Sequence, residues 1–322
     1  MLYAIIAILV GLFLLVYGAD RFVTGAANTA RRLGVSPMII GMTVVGMATS
    51  MPEVLVGSVA ALQGKTNIAI GNAIGSNIAN VGLVLGGTAL FFPLEAASKT
   101  LRREYLVMFV SIILALVLSI NYQLTRIDGV LLLLALIGIT WWIVKLARTS
   151  SRKDPLAGEF KQELGEMQPL GKSLVLLVLG LALLLAGSEL LVEGAVFVAK
   201  QYGVSDLVIG LTIIAVGTSL PELAASIMSA IKKEADIAIG NVIGSNMFNM
   251  LMVMGVPSII YPGKFGHEVL LRDFPVMIFL TLIMGRKVVL SNHGKFTRVD
   301  GAILLTGFIA YQLWLFYSIR RF

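Results

Sequence analysis

Long apolar runs divided by short polar joints recur along almost the whole 322-residue chain, and they constrain its fold more than any other feature. A helix needs roughly 20 apolar residues to cross a bilayer, and there only helices and closed barrels satisfy their own backbone. The runs fall at 3–30, 36–62, 68–92, 102–120 and 127–147, then at 173–199, 206–231, 237–260, 269–285 and 299–318. The expected fold class is therefore an all-α integral membrane protein with ten transmembrane helices, which leaves little chain for a soluble domain. At 57% hydrophobic and 13% charged residues, the natural solvent is the lipid bilayer.

The same composition excludes several classes of function. There is no cysteine, hence no disulfide, thiolate metal site or Cys nucleophile, and His267 and His293 are too isolated for a histidine metal centre. The net charge of +7 does not imply nucleic acid, because the basic residues gather at the joints between spans. Counted by face, they divide about 18 to 7, and positive-inside bias places both termini on the extracytoplasmic side. The first span has no basic segment before it and reads as retained, not as a cleaved signal. The one long polar joint, 148–172, carries mixed charge and reads as a cytoplasmic linker without chemistry of its own.

Sliding the chain on itself by 169 residues aligns Gly11 with Gly180, Gly18 with Gly187, Asp20 with Glu189 and Gly25 with Gly194, without a gap. Between 39–86 and 208–255, about 20 of 48 positions are identical, and the register continues through Arg103-Glu104 and Arg272-Asp273. The chain thus divides into a first five-helix repeat (1–147, motif 39–86), the linker, and a second five-helix repeat (173–322, motif 208–255). Five spans is an odd number, so the second repeat enters the membrane from the opposite side. Inverted-topology repeats of this kind place substrate sites near the bilayer midplane at the repeat interface.

Within the motifs, Thr49-Ser50-Met51-Pro52-Glu53 and Thr218-Ser219-Leu220-Pro221-Glu222 set a glutamate deep inside an apolar span. A charge there costs several kcal/mol unless it is paired or solvated. Pro52 and Pro221 break the helix, since each lacks an N–H and frees a carbonyl one turn earlier, near Ala48 or Gly217. Freed carbonyls, hydroxyls and a carboxylate are hard oxygen ligands suited to Na+ and Ca2+. A kinked packing helix with back-bonded hydroxyls explains the prolines and hydroxyls but leaves both glutamates without a purpose. The next span of each half carries Gly71-Asn72-Ala73-Ile74-Gly75-Ser76-Asn77-Ile78-Ala79-Asn80 and Gly240-Asn241-Val242-Ile243-Gly244-Ser245-Asn246-Met247-Phe248-Asn249. Glycines four apart allow close helix contact, and Ser76 with Asn80, like Ser245 with Asn249, shares one helical face. That face is expected to form the other wall of the site, whereas Asn72, Asn77, Asn241 and Asn246 are expected to hydrogen-bond across helices.

These paired blocks resemble the alpha repeats of the sodium/calcium exchanger (cation/calcium antiporter) superfamily, and most closely its prokaryotic calcium/sodium antiporter branch, over essentially the whole chain. The resemblance implies four central ion-site helices, the second, third, seventh and eighth, with the first and sixth as a sliding gate. It places ion coordination on Gly46 and Ala215 through their carbonyls, and on Thr49, Ser50, Glu53, Ser76, Asn80, Thr218, Ser219, Glu222, Ser245 and Asn249. Glu53 and Glu222 would be the carboxylates that hold the metal ion. Some family members have an acid at the position of Asn249, so here both halves offer Asn and two fixed carboxylates remain. Gly46 stands where Ala is common, a change expected to be tolerated because only the carbonyl is implicated.

The function so implied is secondary antiport of Na+ against Ca2+ by alternating access, normally Ca2+ extrusion driven by Na+ entry, in a prokaryotic inner membrane. No enzyme activity, catalytic residue or cofactor beyond the transported ions is expected. A proton-coupled or K+-dependent divalent-cation exchanger is the alternative within the class. A channel would need no mutually exclusive occupancy. An intramembrane hydrolase would need a Ser/His, Ser/Lys or paired-Asp constellation that the apolar spans lack.

Overall fold

The computed structural model describes residues 1–97, 101–150, 168–203, 215–290 and 294–319. The centre of the polar joint, the start of the second motif at 208–214 and His293 lie outside the described residues. Helices α1 (Leu2–Leu33), α2 (Pro37–Leu62), α3 (Thr66–Phe91), α4 (Leu101–Ser119) and α5 (Arg126–Ser150) are followed by α6 (Leu170–Gln201). Then come α7 (Leu220–Ile231, preceded by the turn Ala215–Gly217), α8 (Ala235–Ile260), α9 (Val269–Asp273 running into Phe274–Leu290) and α10 (Arg298–Ile319). Helix α5 extends past the expected end at 147 and α6 begins before 173, so both enter the stretch read as linker.

Among the described residues, 7 of these helices are long and apolar enough to cross a membrane. The other three depart from that pattern for visible reasons. Arg102, Arg103 and Glu104 crowd the first turns of α4, α9 carries Arg272 and Asp273 near its start and Arg286 and Lys287 near its end, and the described part of α7 has only 12 residues.

Local chemistry sets the ends. Helix α1 stops at Gly34, whose φ of 64° is left-handed, and α2 starts at Pro37 behind Ser36, whose hydroxyl accepts from the Met38 N–H at 3.2 Å. At the start of α5, Thr125 N donates to Asp128 Oδ2 at 2.8 Å while Asp128 N donates to Thr125 Oγ1 at 3.2 Å. The same reciprocal pair, Thr297 with Asp300, opens α10.

Two sets of helices pack differently. Helices α1 and α6 run antiparallel, backbone against backbone, along glycines seven apart: a Cβ on Gly18 would lie 2.5 Å from Leu184 N, and one on Gly180 would lie 2.3 Å from Phe22 N. Helices α3 and α8 form the interior, with 94% of the α8 span buried against 33% for α1. Helix α2 meets α8 closely enough that a Cβ on Gly244 would lie 2.0 Å from Met42 O.

Two short antiparallel strand pairs join distant loops: β1 (Leu94–Glu95) with β4 (Lys295–Phe296), and β2 (Gln123–Leu124) with β3 (Gly263–Lys264). They flank α4 and α9 at both ends. Residues of β1 and β3 are 169 apart, so each pairing exchanges an element of one half with an element of the other.

Candidate functional site

The sequence breaks α2 and α7 at equivalent places. Ser50 (φ −84°, ψ 4°) and Ser219 (φ −92°, ψ 3°) leave helical geometry, and each helix restarts one residue later with proline in its first turn. Glu53 and Glu222 therefore stand in the first turn of a new helix, where unpaired N–H groups favour negative charge. Both are 1% exposed. The opposite walls are the π-helical turns that begin at Asn80 in α3 and at Asn249 in α8. Such turns are rare inside α-helices and concentrate at functional positions.

The packing is crosswise. The π-turn of Asn80 lies on the helix of Glu222, and that of Asn249 lies on the helix of Glu53. The part of α8 bearing Ser245 packs on Gly46–Thr49, and the part of α3 bearing Ser76 packs on the turn Ala215–Gly217. Ser50 Oγ reaches Glu222 Oε1 at 3.5 Å, and Ser245 Oγ donates to the Gly46 carbonyl at 3.2 Å. Residues far apart in the chain thus meet in one buried polar centre.

Polar atoms in that centre are left over. Glu53 Oε2, Glu222 Oε2, Ser219 Oγ and both side-chain amide atoms of Asn80 and of Asn249 are buried without a hydrogen-bond partner. Leaving one such group unsatisfied costs about 1–3 kcal/mol, and more if charged. Clustered carboxylate, hydroxyl and amide oxygens of this kind fit a hard cation. Among the described residues no group of three or more Asp, Glu, His or Cys could hold a metal ion, so the carboxylates here are Glu53 and Glu222.

Of the other expected site residues, Gly46, Thr49 and Ser76 are buried, Thr218 is half-buried, and Ala215 is described only through its backbone in the short turn. Two expectations are sharpened. The Gly217 carbonyl, freed by Pro221, accepts from Ser188 Oγ of α6 at 3.0 Å, which ties α6 to the break. Gly46 is not indifferent to side-chain size: a Cβ there would lie 2.8 Å from Ser245 N and 2.9 Å from the Gly244 carbonyl carbon, so Ala needs α2 and α8 further apart.

Of the four neighbouring asparagines, Asn72, Asn77 and Asn241 bond across helices through their side chains, whereas both side-chain amide atoms of Asn246 are buried without a partner. Asn72 Nδ2 donates to the Glu53 carbonyl at 3.0 Å, Asn241 Nδ2 to the Glu222 carbonyl at 3.2 Å, and Asn77 Nδ2 to the Asn246 carbonyl at 3.2 Å. Asn241 also accepts from Thr49 Oγ1 at 3.2 Å, which brings it to the site itself. The signal was available in the sequence: Asn241 lies four residues before Ser245, one turn away on the same helical face, and it repeats as Asn72.

Comparison with known proteins bears on this geometry. The sodium/calcium exchanger protein family matches residues 3–145 and 172–317. The putative antiporter CaxA of Alkalimonas amylolytica is 48% identical over 319 residues, covering 99% of this chain and 100% of its own. The sodium/calcium exchanger MaX1 of Methanosarcina acetivorans is 33% identical over 346 residues, covering 96% and 97%. The solved structure of the sodium/calcium exchanger from Methanococcus jannaschii superposes with a TM-score of 0.83 at 35% identity, covering 96% of this chain and 97% of that one. Sequence and fold agree along nearly the full length: the chain belongs to the sodium/calcium exchanger family of membrane antiporters.

Proposed function

We propose that the protein exchanges Na+ for Ca2+ across a prokaryotic inner membrane by alternating access, with Na+ entry driving Ca2+ out. The observation that carries this reading is the pair of buried glutamates, each with an unpartnered carboxylate oxygen, facing unpartnered Asn80 and Asn249 amides. The ion set is Gly46, Thr49, Ser50, Glu53, Ser76 and Asn80 from one half and Ala215, Thr218, Ser219, Glu222, Ser245 and Asn249 from the other. Two carboxylates balance one Ca2+, or receive Na+ in adjacent subsites, but do not serve both sets at once. Competition for Glu53 and Glu222 is the coupling, because the empty, doubly charged site resists passage through the apolar gate whereas a loaded site does not.

The architecture that serves this cycle is a pair of inverted five-helix repeats, with both termini outside the cytoplasm and the loop side rich in Lys and Arg inside. The antiparallel contact of α1 with α6 and the exchanged strands support the inversion. Neutral Asn80 and Asn249 favour sodium over protons as the driving ion. Solved structures of the Methanococcus jannaschii exchanger soaked with Na+ and Ca2+ or Sr2+ support the ion assignment by likeness.

The test is radioactive calcium uptake into vesicles under an outward sodium gradient, with a pH gradient substituted in one arm and K+ added in another. Sodium-driven uptake that disappears in Glu53→Gln and Glu222→Gln is expected. Uptake driven equally by a pH gradient would transfer the assignment to proton coupling, and uptake unaffected by either substitution would remove the site.

A further inference from the structure

Helices α3 and α8 meet at a pair of asparagines. Asn77 and Asn246 are repeat counterparts, 169 positions apart, and each directly follows a serine of the proposed ion set. Both are fully buried. Asn77 Nδ2 donates to the Asn246 carbonyl at 3.2 Å. If the halves were in equivalent conformations, Asn246 Nδ2 would donate to the Asn77 carbonyl in return. It does not: Nδ2 and Oδ1 of Asn246 are both buried without a hydrogen-bond partner, as is Asn77 Oδ1. A buried amide left unpaired costs more than an ordinary hydrogen bond gains, so in this structure a leucine, of nearly the same volume, would fit position 246 at less cost.

The ion-site walls beside the pair are unequal in the same sense. Ser245 is fully buried, its Oγ donates to the Gly46 carbonyl at 3.2 Å, and it lies 3.4 Å from Thr49 Oγ1. Its counterpart Ser76 is 6% exposed and forms no matching bond among the described residues. Helix α8 is thus drawn onto the break in α2, and the corresponding contact of α3 is looser. Two halves with one sequence pattern and opposite orientation can exchange such conformations, and the exchange turns a site open to one side into a site open to the other.

We propose that Asn77 and Asn246 are alternate donors that determine which side the ion site faces. Asn77 donates to the Asn246 carbonyl in the present state, and Asn246 donates to the Asn77 carbonyl in the opposite one. This rests on the inverted-repeat antiport proposed above. Each state satisfies one amide and leaves the other unpaired, which keeps the two states close in free energy, as a reversible exchanger requires. Both asparagines are positioning residues, acting through Ser76 and Ser245 beside them.

The experiment reconstitutes the full chain in vesicles of sorted orientation and measures the KM for calcium at each face under an opposing sodium gradient. An apparent affinity falls with the fraction of protein open to that face, so the ratio of the two KM values reports the balance of states. Asn246→Leu removes the donor of the opposite state and is expected to move that ratio about fivefold one way, the worth of one hydrogen bond. Asn77→Leu should move it by a similar factor the other way, and the double variant should return it near the wild-type value. Asn246→Ala and Asn77→Ala carry the same expectation without the added side-chain volume. A ratio that moves the same way in both single variants, or that stays at the wild-type value in variants with a wild-type thermal midpoint, overturns the proposal, because mere loss of packing would weaken both faces alike. Wild-type vesicles without sodium-driven calcium uptake would overturn the antiport reading and the pair with it; where wild-type uptake is present, the ratio alone judges the pair.

Discussion

The contact between α1 and α6 permits a demanding test, Gly18→Ala. An added Cβ would stand 2.5 Å from Leu184 N, 2.9 Å from Gly180 O and 2.9 Å from the Leu183 carbonyl carbon, all backbone atoms that cannot rotate away. Ordinary contact begins near 3.4 Å, so the helices must part by about 0.9 Å at that level. A radial gap of that size forfeits a quarter to a half of the dispersion well for the atoms facing it. Overpacking typically costs about 1–3 kcal/mol, and backbone obstruction puts this case at the upper end. Alanine recovers roughly 1 kcal/mol in helix propensity, so the expected net loss is about 2 kcal/mol. Because the residues proposed to hold the ion lie on α2, α3 and α8 and on α7 with the turn before it, calcium affinity in detergent should hold while sodium-driven calcium flux in vesicles falls sharply. Gly138→Ala, on the exposed face of α5 with nothing within 4 Å, is the control and should leave both unchanged. Wild-type flux with a wild-type thermal midpoint in Gly18→Ala would refute the reasoning, as would a loss of calcium binding equal to the loss of flux.

Asn241→Ala removes the donor to the Glu222 carbonyl and the acceptor for Thr49, at about 1 kcal/mol for each hydrogen bond; calorimetry should find calcium binding weakened by about tenfold, and Asn72→Ala should weaken it too. The ion pairs Lys232 with Asp20, at 2.7 Å, and Arg31 with Glu234 fasten α1 to the joint between α7 and α8. Being partly exposed, they are worth at most about 1 kcal/mol each, so Lys232→Gln should change the flux rate and its salt dependence without lowering the thermal midpoint measurably. Pro52→Ala restores a backbone donor at the break in α2, and calcium affinity should fall as Glu53 leaves its place at a helix start; unchanged affinity would show that the break does not depend on the missing N–H.

The spans were readable because the bilayer imposes a length on every apolar run, and even the ends of α3 and α8 fall within two residues of the expected ones. The glutamates were readable for the converse reason, since a carboxylate in such a run needs a purpose. Less was legible where the cause lies in tertiary packing. The π-turns at Asn80 and Asn249 follow from the seating of α3 and α8 among their neighbours, and no residue in Asn80–Leu85 announces an extra residue per turn. The constraint on Gly46 comes from the approach of Ser245, which is 199 residues away. Strands of two residues carry no alternation from which to infer them.

Those strands bear on how the molecule is held as one object. Loops of the first half are pinned to loops of the second at both ends of α4 and α9, and α1 is seated on α6 along its length. All of this fastening lies among the described residues. A chain cleaved between the two halves after folding should therefore remain a single particle composed of two interlocked pieces.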